Sequence, residues 1–282
     1  YAPTPLIRLN KLNDELKFKN IYYKDEDKRF ELKSFKALGG AFAVYKIASE
    51  KKNITVSTAT AGNHGRSVAW GAQRLGLKCK IFISEFVSES RAEAMRKLDA
   101  EVIRVKGNYD NSLKECVKQS KENNWEIVQD VSWEGYKEVP KLIMAGYTIM
   151  VKEILDEIKS NTITHVFLQA GVGGMAAAMI AGFAKLSKDI PKFIIIEPEN
   201  ADCVFQSIKN NKPTSVDIKK ETVMGGMSCG DVSSIAWEIL KNSSNYCLTI
   251  PDEAISTTVA LLAEKRLSDE KIIGGECAVP GI

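Results

Sequence analysis

The stretch ITVSTATAGNHGRSVAWGAQRLGLKCKIFIS, residues 54–84, decides how the chain folds. Ile54–Thr58 is short and rich in β-branched residues, and it reads as a strand. The run from Thr58 to Gly65 that follows is made of small and polar residues with two glycines, so it reads as a turn. Gly65–Leu75 then carries a helical pattern, and Cys79–Ser84 is again a strand. Strand, turn, helix and strand in that order predict a parallel pair joined by a crossover helix.

The same alternation extends outward. Glu89–Leu98 is predicted helical, Glu101–Val105 a strand, Asn111–Asn123 a helix and Glu126–Asp130 a strand. A second set follows: a long helical pattern over Lys141–Ser160, strands over His165–Gln169 and Lys192–Glu197, and between them an apolar helix over Met175–Leu186. Further helices are expected over Ile235–Lys241, with Ser233 or Ser234 as N-cap, and over Glu253–Lys265. The reading is therefore α/β, with boundaries near Asn53 and Gly146. A larger domain is expected from 1–52 and 147–282, and a smaller α/β domain from 53–146. No Pro- or Ser-rich linker separates them, so close packing is expected, and no internal repeat is visible.

Composition limits the function classes. Hydrophobic residues at 44% and charged residues at 27%, without biased tracts, describe a globular protein. Basic and acidic residues are spread along the chain and leave a net charge of only +3, so neither a basic arm nor a nucleic-acid partner is expected. The longest apolar run, Gly173–Ala184, is too short to cross a bilayer. The chain opens at Tyr1 without an initiating Met or signal-peptide pattern, and its native start is expected upstream. Six cysteines are scattered without a CxxC pair, and only two histidines could join them. Reduced thiols in a cytoplasmic protein without a metal site are the expectation.

Three segments could carry chemistry. Ligands in open parallel sheets bind beyond the carboxyl ends of strands, where two glycine-bearing loops lie. Thr60-Ala61-Gly62-Asn63-His64-Gly65 is either a ligand loop or a tight turn with Asn63 as a helix cap. Gly171-Val172-Gly173-Gly174-Met175 is either a phosphate cradle at a helix N-terminus or a close helix-to-strand contact that needs glycine. It matches neither GxGxxG nor the Walker pattern, so a phosphate outside a dinucleotide or nucleoside triphosphate fits better. Lys36, in the run Arg29–Gly40 ahead of a helical pattern over Ala41–Ser49, sits among apolar neighbours that would favour a nucleophilic amine. Taken alone, any lysine reads as a surface cation, and this one does not identify itself.

Together these segments resemble the fold-type II pyridoxal-phosphate enzymes, and within them the diaminopropionate ammonia-lyase family. The resemblance rests on RFELKSFKALGG (29–40), GNHGRSVAWGAQRLG (62–76), WEIVQDVSWEGY (125–136), THVFLQAGVGG (164–174), IIEPENADC (195–203), VMGGMSCG (223–230) and IIGGECAVPG (272–281), in the family's order over nearly the whole chain. It implies two doubly wound parallel-sheet domains with pyridoxal 5'-phosphate in the cleft between them. It also implies α,β-elimination of 2,3-diaminopropionate to pyruvate and ammonia by a cytoplasmic homodimer. By the same resemblance Lys36 is the Schiff-base lysine and proton shuttle, Phe35 lies beside the cofactor ring, and Asn63 bonds the phenolic oxygen. Gly171, Val172, Gly173, Gly174 and Met175 hold the phosphate. Asp130 is an acid near the substrate, with a strand-end cap as its plainer reading. Thr60, Ala61, Gly62 and His64 flank the substrate.

Two departures from the family's pattern matter. The family has an aspartate where this chain has Ala61, and its two acids serve opposite faces of the cofactor. With one acid left, at Asp130, the L-isomer is expected to be favoured. The same change is what a serine or threonine dehydratase, or an enzyme of another β-substituted alanine, would carry. The partner of the pyridine nitrogen is expected beyond Ile282. A relative that binds a phosphate ligand without catalysis is the alternative of another class. His64 reads as a turn residue more than a base, Glu276 as catalytic or structural, Cys229 and Cys277 as packing, and Glu197 as a site residue or a cap.

Overall fold

The computed structural model describes residues 2–158 and 163–282; Tyr1 and residues 159–162, including the end of the helical pattern expected to reach Ser160, lie outside them. The chain divides into two compact units, one of residues 1–28 and 148–282, the other of 29–147.

The first unit opens with β1 (Leu6–Arg8), α1 (Asn10–Leu16) and β2 (Tyr22–Lys24), and β1 and β2 pair antiparallel. Residues 29–147 then build the second unit, beginning with α2 (Lys36–Glu50), β3 (Thr55–Ala59), α3 (Asn63–Arg74) and β4 (Lys78–Ser84). It continues with α4 (Glu89–Arg96), β5 (Glu101–Val105), α5 (Tyr109–Asn123), β6 (Glu126–Ile127) and α6 (Glu138–Tyr147). Its sheet is parallel, in the order β5-β4-β3-β6. Asn108 and Asn111 cap the start of α5 reciprocally, and that helix helps bury Ala59, Phe82 and Cys116 under the sheet.

The first unit resumes with α7 (Ile149–Ile158), β7 (His165–Gln169), α8 (Gly174–Leu186), β8 (Lys192–Pro198) and α9 (Cys203–Asn210). After α10 (Ser234–Ser243), β9 (Tyr246–Ile250) and α11 (Glu253–Ala263) complete it. Its parallel sheet runs β7-β8-β9, and a separate apolar cluster gathers Ile7, Leu9, Met224, Met227, Ile255, Leu262 and Ile272. Among the described residues no helix is long and apolar enough to cross a membrane.

Three differences from the expected elements have physical reasons. The expected helix of Ala41–Ser49 starts at Lys36, and Gly39 and Gly40 lie inside it instead of ahead of it. A Cβ at Gly39 would come within 2.4 Å of the Tyr147 ring, and one at Gly40 within 1.8 Å of Ser67 Oγ. These glycines let helices approach, which is also why residues 29–52 cluster with 53–147 and not with the N-terminal segment. The long pattern from Lys141 is two helices, α6 and α7, broken at Thr148. The strand expected through Asp130 ends at Ile127, so Gln129 and Asp130 leave the sheet as loop residues.

The tightest contact around α2 is at Gly146 on α6, where an added Cβ would lie 2.1 Å from the Leu38 carbonyl oxygen and 2.9 Å from Gly39 Cα. Backbone atoms cannot rotate away as a side chain can. Gly146→Ala is therefore expected to destabilise the protein by about 1–3 kcal/mol, read as a lowered thermal midpoint; an unchanged midpoint would contradict this packing.

Candidate active site

Lys36 is the first residue of α2, and its side chain extends beside two aromatic rings. Nζ lies 5.5 Å from the Phe35 ring centroid and 5.9 Å from that of Tyr147, distances at which a cation is attracted to a ring face. The two rings meet edge to face with centroids 5.0 Å apart. Nζ also lies 2.5 Å from Oδ2 of Asp130, so the apolar neighbourhood expected for this lysine is interrupted by a carboxylate. The Lys36 and Asp130 side chains keep 26% and 15% exposure.

Asp130 is held by the residues before it. Gln129 is fully buried; its side-chain carbonyl accepts from Thr58 Oγ1 and the Ala59 N–H, and its amide donates to the Ala59 carbonyl and Tyr109 Oη. The Tyr136 hydroxyl donates to the Ile127 carbonyl and accepts from the Gln129 N–H. The loop after β6 is thus bonded on both sides to the carboxyl end of the sheet. Burial alone would push the Asp130 carboxyl up. The facing His64 ring and the Lys36 ammonium outweigh burial, the Lys36 hydrogen bond adds to them, and the carboxyl stays well below the usual carboxylate range. Burial pushes His64 down more than Asp130 pulls it up, so its ring is neutral near pH 7.

The loop between β3 and α3 is fastened from inside. Thr60 Oγ1 accepts from the N–H groups of Gly62 and Gly65, and a Cβ at Gly65 would come within 2.3 Å of the Thr60 methyl. Thr60 is buried and used in holding the turn, whereas Ala61 and Asn63 are exposed and Gly62 half-buried. His64 turns inward, 5% exposed, with Nε2 2.7 Å from the Val128 carbonyl oxygen. Lys36, Phe35, Asn63, His64 and Asp130 therefore all belong to one unit.

The other unit carries the second glycine loop, between β7 and α8. Gly173 takes a left-handed φ of +88° and caps α8 without a side chain. A Cβ there would meet Leu240 at 2.7 Å, and one at Gly171 would meet Cys229 Sγ at 2.9 Å and Met227 Cα at 3.1 Å. The packing reading of these glycines therefore holds, and among the described residues no side chain caps the first N–H groups of α8. The Val172 carbonyl accepts from the Ser233 N–H, which fixes the loop against the start of α10.

Within the second unit, a primary amine beside aromatic rings and an exposed Asn at the start of α3 suit the ring of pyridoxal phosphate; within the first unit, a helix N-terminus without a side-chain cap suits a phosphate. Glu197 is not part of this set. It is fully buried and accepts from the Val204 and Phe205 N–H groups at the start of α9, and burial pushes its carboxyl up to about 8. Tyr147, Gln129 and Tyr136 were not foreseen from the sequence. Their parts come from contacts between distant segments, and no local pattern marks them.

Comparison with known proteins gives the family. The family model for pyridoxal-phosphate-dependent enzymes matches residues 1–278. The chain is 35% identical over 303 residues to diaminopropionate ammonia-lyase of Escherichia coli K12, covering all of this chain and 76% of that protein. It is 34% identical over 311 residues to the enzyme of the same name from Salmonella typhimurium LT2, covering 100% and 77%. A solved structure of the Escherichia coli enzyme, in complex with an aminoacrylate–PLP azomethine reaction intermediate, superposes with a TM-score of 0.93 at 35% identity, over all of this chain and 76% of that one. The chain belongs to the pyridoxal-phosphate-dependent enzymes, and within them to the diaminopropionate ammonia-lyase family.

Proposed function

We propose that this protein eliminates ammonia from 2,3-diaminopropionate, giving pyruvate and a second ammonia, and that it favours the L-isomer. The observation that carries the reading is the Lys36–Asp130 pair, a primary amine and an ionised carboxylate 2.5 Å apart beside aromatic rings, in a chain related throughout its length to enzymes of that name. The reading extends to a cytoplasmic homodimer acting on a small amino acid, as the family resemblance implies.

Pyridoxal phosphate, when bound, supplies an electron sink that makes the α-proton of an attached amino acid acidic. Lys36 would hold it covalently through Nζ, with Phe35 beside the ring and Asn63 reaching its phenolic oxygen. The N–H groups of the 171–175 loop would hold the phosphate. Lys36 and Asp130 then form a proton-handling pair. Asp130 is ionised near neutral pH, its carboxyl lying well below the usual carboxylate range, and it can accept the α-proton; Lys36, freed by the incoming substrate, can carry a proton between the α-carbon and the departing amino group. Ala61 can do neither, which leaves one acid to serve one face of the substrate.

Ala61 also favours a second reading, a serine or threonine dehydratase, because its loop reads AGNH. The two readings part on substrate. Purified enzyme loaded with cofactor is expected to release pyruvate and ammonia from L-2,3-diaminopropionate faster than from the D-isomer, serine or threonine. Equal rates on the two isomers would overturn the stereochemical part, and preference for serine or threonine would replace the substrate. Ala61→Asp is expected to raise turnover of the D-isomer specifically, and no gain would remove Ala61 as the cause of the preference.

Asp130→Asn keeps the size of the side chain but removes the base. It is expected to lower kcat on the L-isomer by about 10²–10⁴-fold, while cofactor absorbance persists. Full turnover by this variant would take Asp130 out of the mechanism.

A further inference from the structure

His64 stands behind Asp130 with its tautomer fixed by the backbone. Its Nε2 lies 2.7 Å from the Val128 carbonyl oxygen. A carbonyl only accepts, so Nε2 carries the hydrogen, and in the neutral ring Nδ1 is a bare lone pair. That atom is buried and has no hydrogen-bond partner. What it faces, at 3.7 Å, is Oδ2 of Asp130, the oxygen that Lys36 Nζ also reaches. Two electron-rich atoms with no proton between them make no bond, and leaving such an acceptor buried is costly. One added proton would draw the two atoms in from 3.7 Å to form a charge-assisted hydrogen bond.

The other groups that bear on the pair are already committed. Lys36 faces Asp130 as an ammonium in the cofactor-free protein, and in the reading above it serves the departing amino group. Tyr147 and Tyr136 are close enough to feel the Asp130 charge, but burial pushes both phenols up and keeps them protonated. His64 is the one buried base beside Asp130 with an open nitrogen among the described residues.

We propose that His64 is a positioning residue for proton transfer, receiving at Nδ1 the proton that Asp130 takes from the α-carbon. This rests on the reading of Asp130 as the base. The substrate C–H bond breaks, its electron pair stays with the substrate, and an O–H bond forms at Asp130 Oδ2. That O–H bond then breaks as an N–H bond forms at Nδ1, leaving an imidazolium bonded to a restored carboxylate. The proton returns through the same oxygen to the freed Lys36 amine, which carries it to the departing amino nitrogen.

His64→Gln tests this, because Gln keeps a donor for the Val128 carbonyl but has no basic nitrogen. With L-2,3-diaminopropionate its kcat is expected to fall about 10- to 100-fold, with KM nearly unchanged and a larger isotope effect for the α-deuterated substrate. His64→Gln combined with Asp130→Asn should be no slower than Asp130→Asn alone. A readout independent of turnover is the ¹⁵N spectrum of the histidine rings in cofactor-free protein. There are two histidines, so His165→Gln assigns the signals, and Nδ1 of His64 should be unprotonated near neutral pH. A resting Nδ1–H, or a His64→Gln enzyme with wild-type kcat and isotope effect, would overturn the proposal. Wild-type turnover by Asp130→Asn would overturn the assignment of the base as well. Loss of activity in Asp130→Asn with none in His64→Gln would remove only the part given to His64.

Discussion

A lysine amine and a carboxylate 94 residues apart in sequence meet at 2.5 Å, and that meeting depends on how closely three helices approach. α2 carries Lys36 at its first residue, and it is set against α3 and α6 through glycines. Gly71 of α3 leaves room for Ala41, Gly146 of α6 leaves room for the Leu38 carbonyl, and Gly39 and Gly40 leave room for Tyr147 and Ser67. The Ser67 hydroxyl in turn donates to the Lys36 carbonyl. The amine is thereby placed by backbone geometry more than by its own flexible stem.

Asp130 is placed by a different device. Its strand stops early, and Gln129 and Tyr136 bond the departing backbone to the end of the sheet. A carboxylate on such a tethered loop loses little entropy when it meets its partner. Positive charge beside it keeps it ionised despite burial. The structure therefore holds a base ready instead of recruiting one, which is what electrostatic preorganisation requires.

Much of this was legible in the sequence. Alternating short β-branched runs and amphipathic segments specified both parallel sheets, because strand and helix periods differ and glycine punctuates the turns between them. β9 escaped because it is a half-exposed edge strand whose Tyr246 and Leu248 face outward, so no continuous apolar run marks it. The start of α2 was misplaced because Gly39-Gly40 looks like a turn locally, while tertiary contact makes it a helix surface. The site divides the same way. Of the residues proposed for the site, Lys36, Asn63 and those of the 171–175 loop are carried by motifs. Thr60, by contrast, holds its own turn, and Tyr147 and Gln129 act through contacts between distant segments that only the fold reveals.

The central claim is that Lys36, and no other lysine, holds the cofactor. Reducing the cofactor-loaded enzyme with borohydride and mapping its peptides by mass spectrometry tests it directly. A single reduced pyridoxyl adduct on the peptide containing Lys36 is expected, with the visible absorbance of the bound cofactor lost. An adduct on another lysine, or none at all, would contradict it.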